Sequence, residues 1–225
     1  MQFNAKNQKA EILIYEDIGD YWSGVTAKGF NDELKALGDI REINVRMNSG
    51  GGNVFDGIAI YNTLKNHKAK VNIHIDGLAA SIASIVAMAG DTISIAKNGF
   101  MMIHDPWIMT SGTAEDLRKT ADTIDGVREQ LLDTYIRRTG GDREQISDMM
   151  SAETWMNSDE AMQNGFVDSV TDDLALAARF DVSKFKNVPA GLPLKLDSKK
   201  GSEQERAKVR SGNRANKLLE IKRGK

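Results

Sequence analysis

Several features that define other protein classes are missing from this sequence of 225 residues. It contains no cysteine, which excludes disulfide bonds, iron–sulfur clusters, thiolate metal sites and a cysteine nucleophile. Proline occurs three times and aromatic residues make up 6% of the chain, whereas 40% is hydrophobic, as in ordinary globular proteins. Any chemistry must therefore depend on serine, threonine, lysine, histidine or carboxylate side chains, or on a bound cofactor.

Long apolar runs and a strong charge imbalance are missing as well. No stretch approaches the roughly 18 apolar residues of a membrane span, and the first residues lack the basic and apolar regions of a signal peptide. The formal net charge of −2 argues against a polycation that binds nucleic acid along its whole length. We therefore expect a cytoplasmic protein that has no membrane partner.

The charge distribution divides the chain. Residues 195–225 carry eleven Lys and Arg against four Asp and Glu, and they contain no aromatic side chain that could stack on a base. We predict an N-terminal segment at 1–10, a folded domain at 11–180 and a basic, flexible tail at 181–225. The tail is interpreted as an unstructured solvated segment or a propeptide remnant, and nucleic acid is not an expected partner.

Hydrophobic periodicity predicts an α/β fold. Strand-like runs rich in Ile, Val and Met occupy residues 11–18, 42–49, 70–77, 91–96 and 100–104. Apolar residues at helical spacing lie in 26–37, 55–66 and 79–89, followed by a long helix that ends at Gly140, helices at 143–150 and 159–164, and a strand at 166–170. This alternation indicates βαβ units and a mainly parallel sheet.

A glycine-rich turn, Asn48-Ser49-Gly50-Gly51-Gly52-Asn53, lies directly between a predicted strand and a predicted helix. Consecutive glycines cost backbone entropy, so a close backbone approach or a positive φ angle is the natural reason for them. Free N–H groups in such a turn would suit an anion or an oxyanion. The alternative is a flexible tight turn, and no P-loop lysine follows.

Two further signals concern serine and histidine. In the segment 77–84, a strand runs through glycine and alanines into a helix, so that Ser81 falls in the first helical turn and Ser84 one turn later. His104 ends a strand at the sheet edge where ligands of parallel sheets bind, which suits a general base. Both features are also compatible with a purely structural role. Asp105 points to the opposite face, so a third group must come from elsewhere, and Glu153 is available.

The order and spacing of four motifs resemble the proteolytic subunit of the Clp protease family over about residues 11–170. The motifs are Asn48 to Gly52, Gly77 to Ala83, Met102 to Pro106, and Glu160 to Asp168. The resemblance implies an α/β Clp protease/crotonase-like fold, built from repeated β-β-α type units with a projecting long helix for contacts between subunits.

The resemblance also implies a role for each matching residue. Ser81 is the nucleophile, His104 the general base, and the backbone amides of Gly52 and Ile82 form the oxyanion hole. Glu153 falls at the position of the family's acid. No metal and no cofactor is implied.

The chain departs from the family pattern at the acid and in the substrate groove. The family has an aspartate at the position of Glu153, so Asp148 is kept as the alternative acid. Trp107 replaces a small residue after the histidine motif, which predicts a narrower groove lined also by Gly51 and Asn53.

Details of the long helix and of the segment around Glu153 resemble the prohead proteases of phages and prophages. This implies a serine endopeptidase that cleaves capsid or scaffold proteins during head maturation, in the host cytoplasm or the prohead interior. It further implies a homo-oligomeric ring, a heptamer or stacked rings, that works without an ATPase. The alternatives are a housekeeping Clp subunit that works with an ATPase, a catalytically weak scaffold, and an acyl-CoA hydratase or isomerase of related fold.

Overall fold

Apolar residues bury one or both faces of the central strands in an eight-stranded sheet. The computed structural model describes residues 1–19, 24–174, 184–189 and 192. The strands are β1 (Gln2–Lys6), β2 (Lys9–Ile14), β3 (Glu42–Ser49), β4 (Lys70–Ala80), β5 (Thr92–Ala96), β6 (Phe100–Ile103), β7 (Thr154–Asn157) and β8 (Ser169–Thr171). They are ordered β1-β2-β3-β4-β5-β8, and β6 pairs with both β4 and β7.

All the described helices except α3 begin where a polar side chain caps the first turn. Thr26, Asn53, Thr113, Asp142 and Asn157 each accept hydrogen bonds from the free amides of a following helix. The helices are α1 (Ala27–Ala36), α2 (Val54–Lys65), α3 (Ile82–Ala87), α4 (Ala114–Thr139), α5 (Arg143–Ser151) and α6 (Ser158–Gln163).

The predicted α/β fold with a mainly parallel sheet is confirmed, and two antiparallel pairs correct its details. β1 pairs antiparallel with β2, so Gln2–Lys6, within the predicted N-terminal segment 1–10, is a strand of the sheet. β6 pairs antiparallel with β7, a strand that the sequence analysis did not predict. Both β1 and β7 are short, and the side chains of β1 are mostly exposed, so neither carries a strong apolar alternation.

Most predicted boundaries are close to the observed ones, with three differences near the site. β4 runs three residues beyond the predicted end, to Ala80, and α3 begins only at Ile82. The first predicted strand ends at Ile14, before the polar residues that follow. Of the predicted tail 181–225, only 184–189 and 192 are described; the rest of that prediction lies outside the described residues.

The apolar core lies between the sheet and the helices. Ile73 and Ile75 of β4, Ile85 of α3 and Tyr135 of α4 are almost completely buried. In the described ranges, no helix combines the length and apolarity required to cross a bilayer.

Candidate active site

Ser81 lies between the end of β4 and the start of α3, in a backbone conformation that a residue with a side chain seldom adopts. Its φ is 55° and its ψ is −131°, which is a strained combination for any residue other than glycine. The surrounding structure holds it there, since the Ser81 N–H donates to the carbonyl of Met102 on β6 at 2.9 Å. A sharp, strained turn from a strand into a helix presents the side-chain hydroxyl outward, as nucleophiles require.

His104 follows β6, which lies parallel to the end of β4, and its ring reaches the serine. Ser81 Oγ and His104 Nε2 are 2.8 Å apart, a hydrogen-bond distance that suits a nucleophile and its base. Burial lowers the pKa of His104 below its ordinary value, whereas the nearby charges of Glu153 and Asp105 raise it. The net direction is downward, so the neutral imidazole that can accept a proton is favoured.

Glu153 stands beside His104 because of the pairing between β6 and β7. Ile103 is opposite Thr154 in this antiparallel register, so the next pair along would be His104 and Glu153. The Glu153 carboxylate is buried, and its Oε1 accepts backbone N–H groups from Lys186 at 2.6 Å and Asn187 at 2.7 Å. Between His104 and Glu153, both of which are described, there is no direct hydrogen bond.

The other two carboxylates considered for the site lie elsewhere. Asp148 is exposed on α5. Asp105 forms an ion pair with Arg128 of α4 at 2.7 Å, which ties its side chain away from the imidazole. Glu153 is therefore the buried one of these three carboxylates, and it is the residue that the sequence predicts as the acid.

The glycine turn packs directly against Ser81. A Cβ atom on Gly51 would lie 2.7 Å from Ser81 Cβ and 3.2 Å from Ile82 N, so only glycine permits this approach. Gly52 has a φ of 142°, and a Cβ there would lie 2.0 Å from the carbonyl oxygen of Ile18. Ile82 N–H, at the first position of α3, has no intrahelical acceptor. Among the described residues, no backbone acceptor takes the Gly52 N–H either.

Two expected groove residues have other surroundings. The side chain of Asn53 accepts the N–H groups of Phe55 and Asp56 at 2.9 and 3.1 Å, and so caps α2. Trp107 lies in the segment after β6 with 58% of its surface exposed, next to the exposed Ile108 and Met109. Trp107 is thus available to a ligand, whereas the Asn53 side chain is engaged within the protein.

Sequence reasoning treated Ser84 as a packing residue and missed its hydrogen bonds. Ser84 Oγ donates to the carbonyl of Ser81 at 2.5 Å and lies 2.7 Å from the hydroxyl of Tyr135 on α4. Because the single hydrogen of Ser84 goes to Ser81, Tyr135 must donate to Ser84. This buried chain fastens the strained serine backbone to the long helix. No local pattern could have revealed it, since the two hydroxyl residues are 51 positions apart.

The Tyr135→Phe variant tests this link. Loss of one buried hydrogen bond should lower the free energy of unfolding by about 1 kcal/mol. Any peptidase activity should fall roughly two- to tenfold, because the serine backbone is held less firmly. Chemical denaturation and kinetics would measure both. Tyr61→Phe on α2 is the matched control, since Tyr61 is partly buried and its hydroxyl has no hydrogen bond within the described residues.

In the part of the chain that the structure describes, no group of three or more His, Cys, Asp or Glu side chains is arranged to hold a metal ion.

The comparisons with a family model and with known relatives both identify the Clp protease. Residues 4–173 match the family model described as Clp protease. The chain is 30% identical over 142 residues to the ATP-dependent Clp protease proteolytic subunit 1 of Salinibacter ruber, covering 62% of this chain and 61% of that protein. The protein of the same name from Prochlorococcus marinus is 33% identical over 141 residues, covering 62% of this chain and 72% of the relative. The chain thus spans about three fifths of the length of the Salinibacter relative.

A solved structure of a ClpP1 point mutant from Listeria monocytogenes is similar in fold. Its TM-score is 0.63 at 26% sequence identity, over 72% of this chain and 91% of the mutant chain.

Proposed function

Because this chain belongs to the Clp protease family, we propose that it is a serine endopeptidase with Ser81, His104 and Glu153 as its catalytic residues. The observation that carries this proposal is the 2.8 Å contact between Ser81 Oγ and His104 Nε2. Gly51 of the neighbouring glycine turn approaches this pair closely, since a Cβ atom on it would lie 2.7 Å from Ser81 Cβ and 3.2 Å from Ile82 N. This approach supports the amides of Gly52 and Ile82 as the oxyanion hole.

The proposed reaction is peptide hydrolysis by acyl transfer. Ser81 Oγ bonds to the scissile carbonyl carbon while its proton passes to His104 Nε2. The amides of Gly52 and Ile82 stabilise the oxyanion, and collapse of the intermediate breaks the C–N bond as His104 protonates the leaving amine. Water then attacks the acyl-enzyme with His104 as base, which releases the acid product and restores the Ser81 hydroxyl.

The function is tested by turnover and by covalent labelling. The wild-type chain should cleave unfolded proteins or a peptide panel, and a fluorophosphonate probe should attach to Ser81, as located by mass spectrometry of tryptic peptides. Labelling without any peptide turnover would favour a catalytically weak scaffold. Hydratase or isomerase activity on an acyl-CoA thioester, without labelling, would favour the related enzymes that share the fold.

The Glu153→Gln variant tests the acid. The charge of Glu153 raises the pKa of His104, so its removal should lower that pKa further and move the acid limb of kcat/KM to lower pH. The other charges that act on the ring are Asp105, Lys184 and Lys186, and they stay in place. The value of kcat should fall about 10²- to 10⁴-fold, because the imidazolium formed during the reaction loses its counter-charge.

Asp148→Asn is the matched comparison for this prediction. Asp148 is exposed on α5, so its amide variant should leave the pH profile where it is. If Asp148→Asn caused the larger loss of kcat, the acid would be Asp148 and the assignment of Glu153 would be wrong.

For the substrate, we propose capsid or scaffold proteins, cleaved during head maturation without an ATPase. The support is the resemblance of the long helix and the Glu153 segment to prohead proteases, together with the exposed Trp107. The names of the Salinibacter and Prochlorococcus relatives favour the second candidate, a subunit that works with an ATPase. Cytoplasmic location and a homo-oligomeric ring belong to both proposals.

Two experiments separate these candidates. Co-expression with neighbouring virion genes, followed by mass mapping of new protein termini, should reveal cleavage that requires Ser81. Co-purification with an ATPase and ATP-stimulated degradation of a folded substrate would instead favour the second candidate. Light scattering coupled to size-exclusion chromatography would count the subunits of the assembly.

A further inference from the structure

A short segment beyond the end of the family match returns to the active site. The family model matches residues 4–173, whereas the residues in question are 184–187, here called the strap. Phe185 of the strap is 8% exposed and packs with Leu78, Ala80 and Met102, which belong to the strands that carry Ser81 and His104. Burial of a phenylalanine side chain contributes about 1.5–3 kcal/mol, so this contact anchors the strap on the sheet.

The backbone of the strap holds the carboxylate of Glu153. Oε1 accepts the N–H groups of Lys186 at 2.6 Å and Asn187 at 2.7 Å. The side-chain amide of Asn187 also donates to the carbonyl of Ala152 at 2.7 Å, so the strap is tied both to Glu153 and to the residue before it. Glu153 itself has a φ of 51°, which is a strained value for a residue with a side chain and which the surrounding contacts must maintain.

The Phe185 side chain of the strap covers the imidazole ring of His104. The ring of Phe185 stands edge-to-face against His104, with centroids 5.7 Å apart, and against Trp155 at 5.6 Å. These contacts shield the histidine ring from water, in agreement with the lowering of its pKa by burial.

We propose that the strap is a positioning element of the catalytic site, which orients Glu153 toward His104 through the backbone amides of Lys186 and Asn187. This inference rests on the proposed peptidase function. A glutamate has one more rotatable bond than the aspartate of the family pattern, so its carboxylate has more orientational freedom to lose. The two amides, with a longer bond from the Trp155 indole N–H at 3.4 Å, hold Oε1 in that orientation and leave the second oxygen for the imidazole.

The contacts favour positioning over blockage of the site. The bond between Ser81 and His104 is intact at 2.8 Å while the strap is in place. Within the described part of the chain, no strap atom forms a hydrogen bond with Ser81 or with the amides of Gly52 and Ile82. Among the described residues, the strap thus leaves Ser81 and the two amides without a hydrogen-bonded blocking group, which favours positioning.

The full-length Asn187→Pro variant removes one of the two amide donors. We expect kcat on a peptide substrate to fall about 10- to 100-fold with KM changed less than about twofold, since substrate contacts are untouched. Asn187→Ala keeps the amide and loses only the side chain, so the proline variant must lose at least about tenfold more activity than the alanine variant. Val188→Pro, one residue beyond the strap, controls for the rigidity of proline, because Val188 N–H has no acceptor among the described residues.

A double-mutant cycle shows whether the strap acts through Glu153. In the Glu153→Gln background, Asn187→Pro should lower kcat less than about threefold. The glutamine has no charge to direct at the imidazole, so loss of its orientation has little effect on the reaction. Equal losses in both backgrounds would overturn the inference, and so would unchanged or increased activity of Asn187→Pro alone. If instead the wild-type chain neither cleaves peptides nor reacts with the probe, the proposed function itself fails.

Discussion

The Ser81→Ala variant is expected to lose peptide hydrolysis almost completely, with kcat reduced about 10⁴- to 10⁶-fold, and to lose all labelling by a fluorophosphonate probe. The reason is that the Ser81 hydroxyl, 2.8 Å from His104 Nε2, is the proposed nucleophile and the group whose proton the histidine accepts. The remaining activity would come from the oxyanion site and from substrate binding. Steady-state kinetics on an unfolded protein and mass spectrometry of the labelled chain would measure the two losses.

The fold should survive this substitution. Replacement of Ser81 removes a side chain that makes its hydrogen bond outward to His104, while the backbone N–H bond to Met102 is retained. Ser111→Ala, in the exposed segment before α4, is the matched control and should keep full activity. Labelling that persists in Ser81→Ala and moves to Ser84 would mean that the nucleophile had been misassigned.

The Gly52→Ala variant is expected to lower kcat by about 10²- to 10³-fold or more, which is the typical cost of a lost oxyanion donor. Its new Cβ would lie 2.0 Å from the carbonyl oxygen of Ile18, and its φ of 142° is unsuited to alanine. The turn must therefore shift, and the amide of residue 52 moves away from the reacting carbonyl. Kinetics, thermal unfolding and probe labelling should be measured together, because the same shift also destabilises the fold.

Gly38→Ala separates backbone strain from loss of the amide. Gly38 also has a positive φ, of 73°, but no atom lies within 4 Å of its Cβ position, and it belongs to the connection after α1. It should therefore cost about 1 kcal/mol of stability without any change in kcat. A folded Gly52→Ala protein with wild-type kcat and wild-type labelling would exclude the Gly52 amide from the oxyanion site.

The positions of Ser81 and His104 in the fold could be predicted because local sequence indicates the strands that precede them. Ser81 follows a strand that ends in small residues, and His104 ends an apolar strand, so hydrophobic alternation and glycine placement locate both at strand ends. Their proposed catalytic roles came from the resemblance of the motifs to the Clp protease family. The predicted strand at 70–77 was three residues short. Its continuation to Ala80 depends on pairing with β6, which a single segment does not reveal.

The surroundings of Glu153, the proposed acid, could not be predicted in the same way. Thr154–Asn157 is a four-residue strand, too short to show a period, and it forms because the edge of β6 offers it hydrogen bonds. The same applies to Ser84 and Tyr135, whose hydroxyls meet across 51 residues of chain.

The sequence alone thus determined the α/β class, the turn that contains Ser81, the position of His104 at a strand end and the glycine-rich loop, since the spacing of neighbouring residues sets each local conformation. Only the tertiary structure decided that Glu153 lies beside the imidazole and that its carboxylate is held by amides more than 30 residues further along the chain. Contacts of that kind follow from the packing of Phe185 on the sheet. Every residue except proline has a backbone N–H group, so no pattern of residue types could have predicted which of these groups bind Glu153.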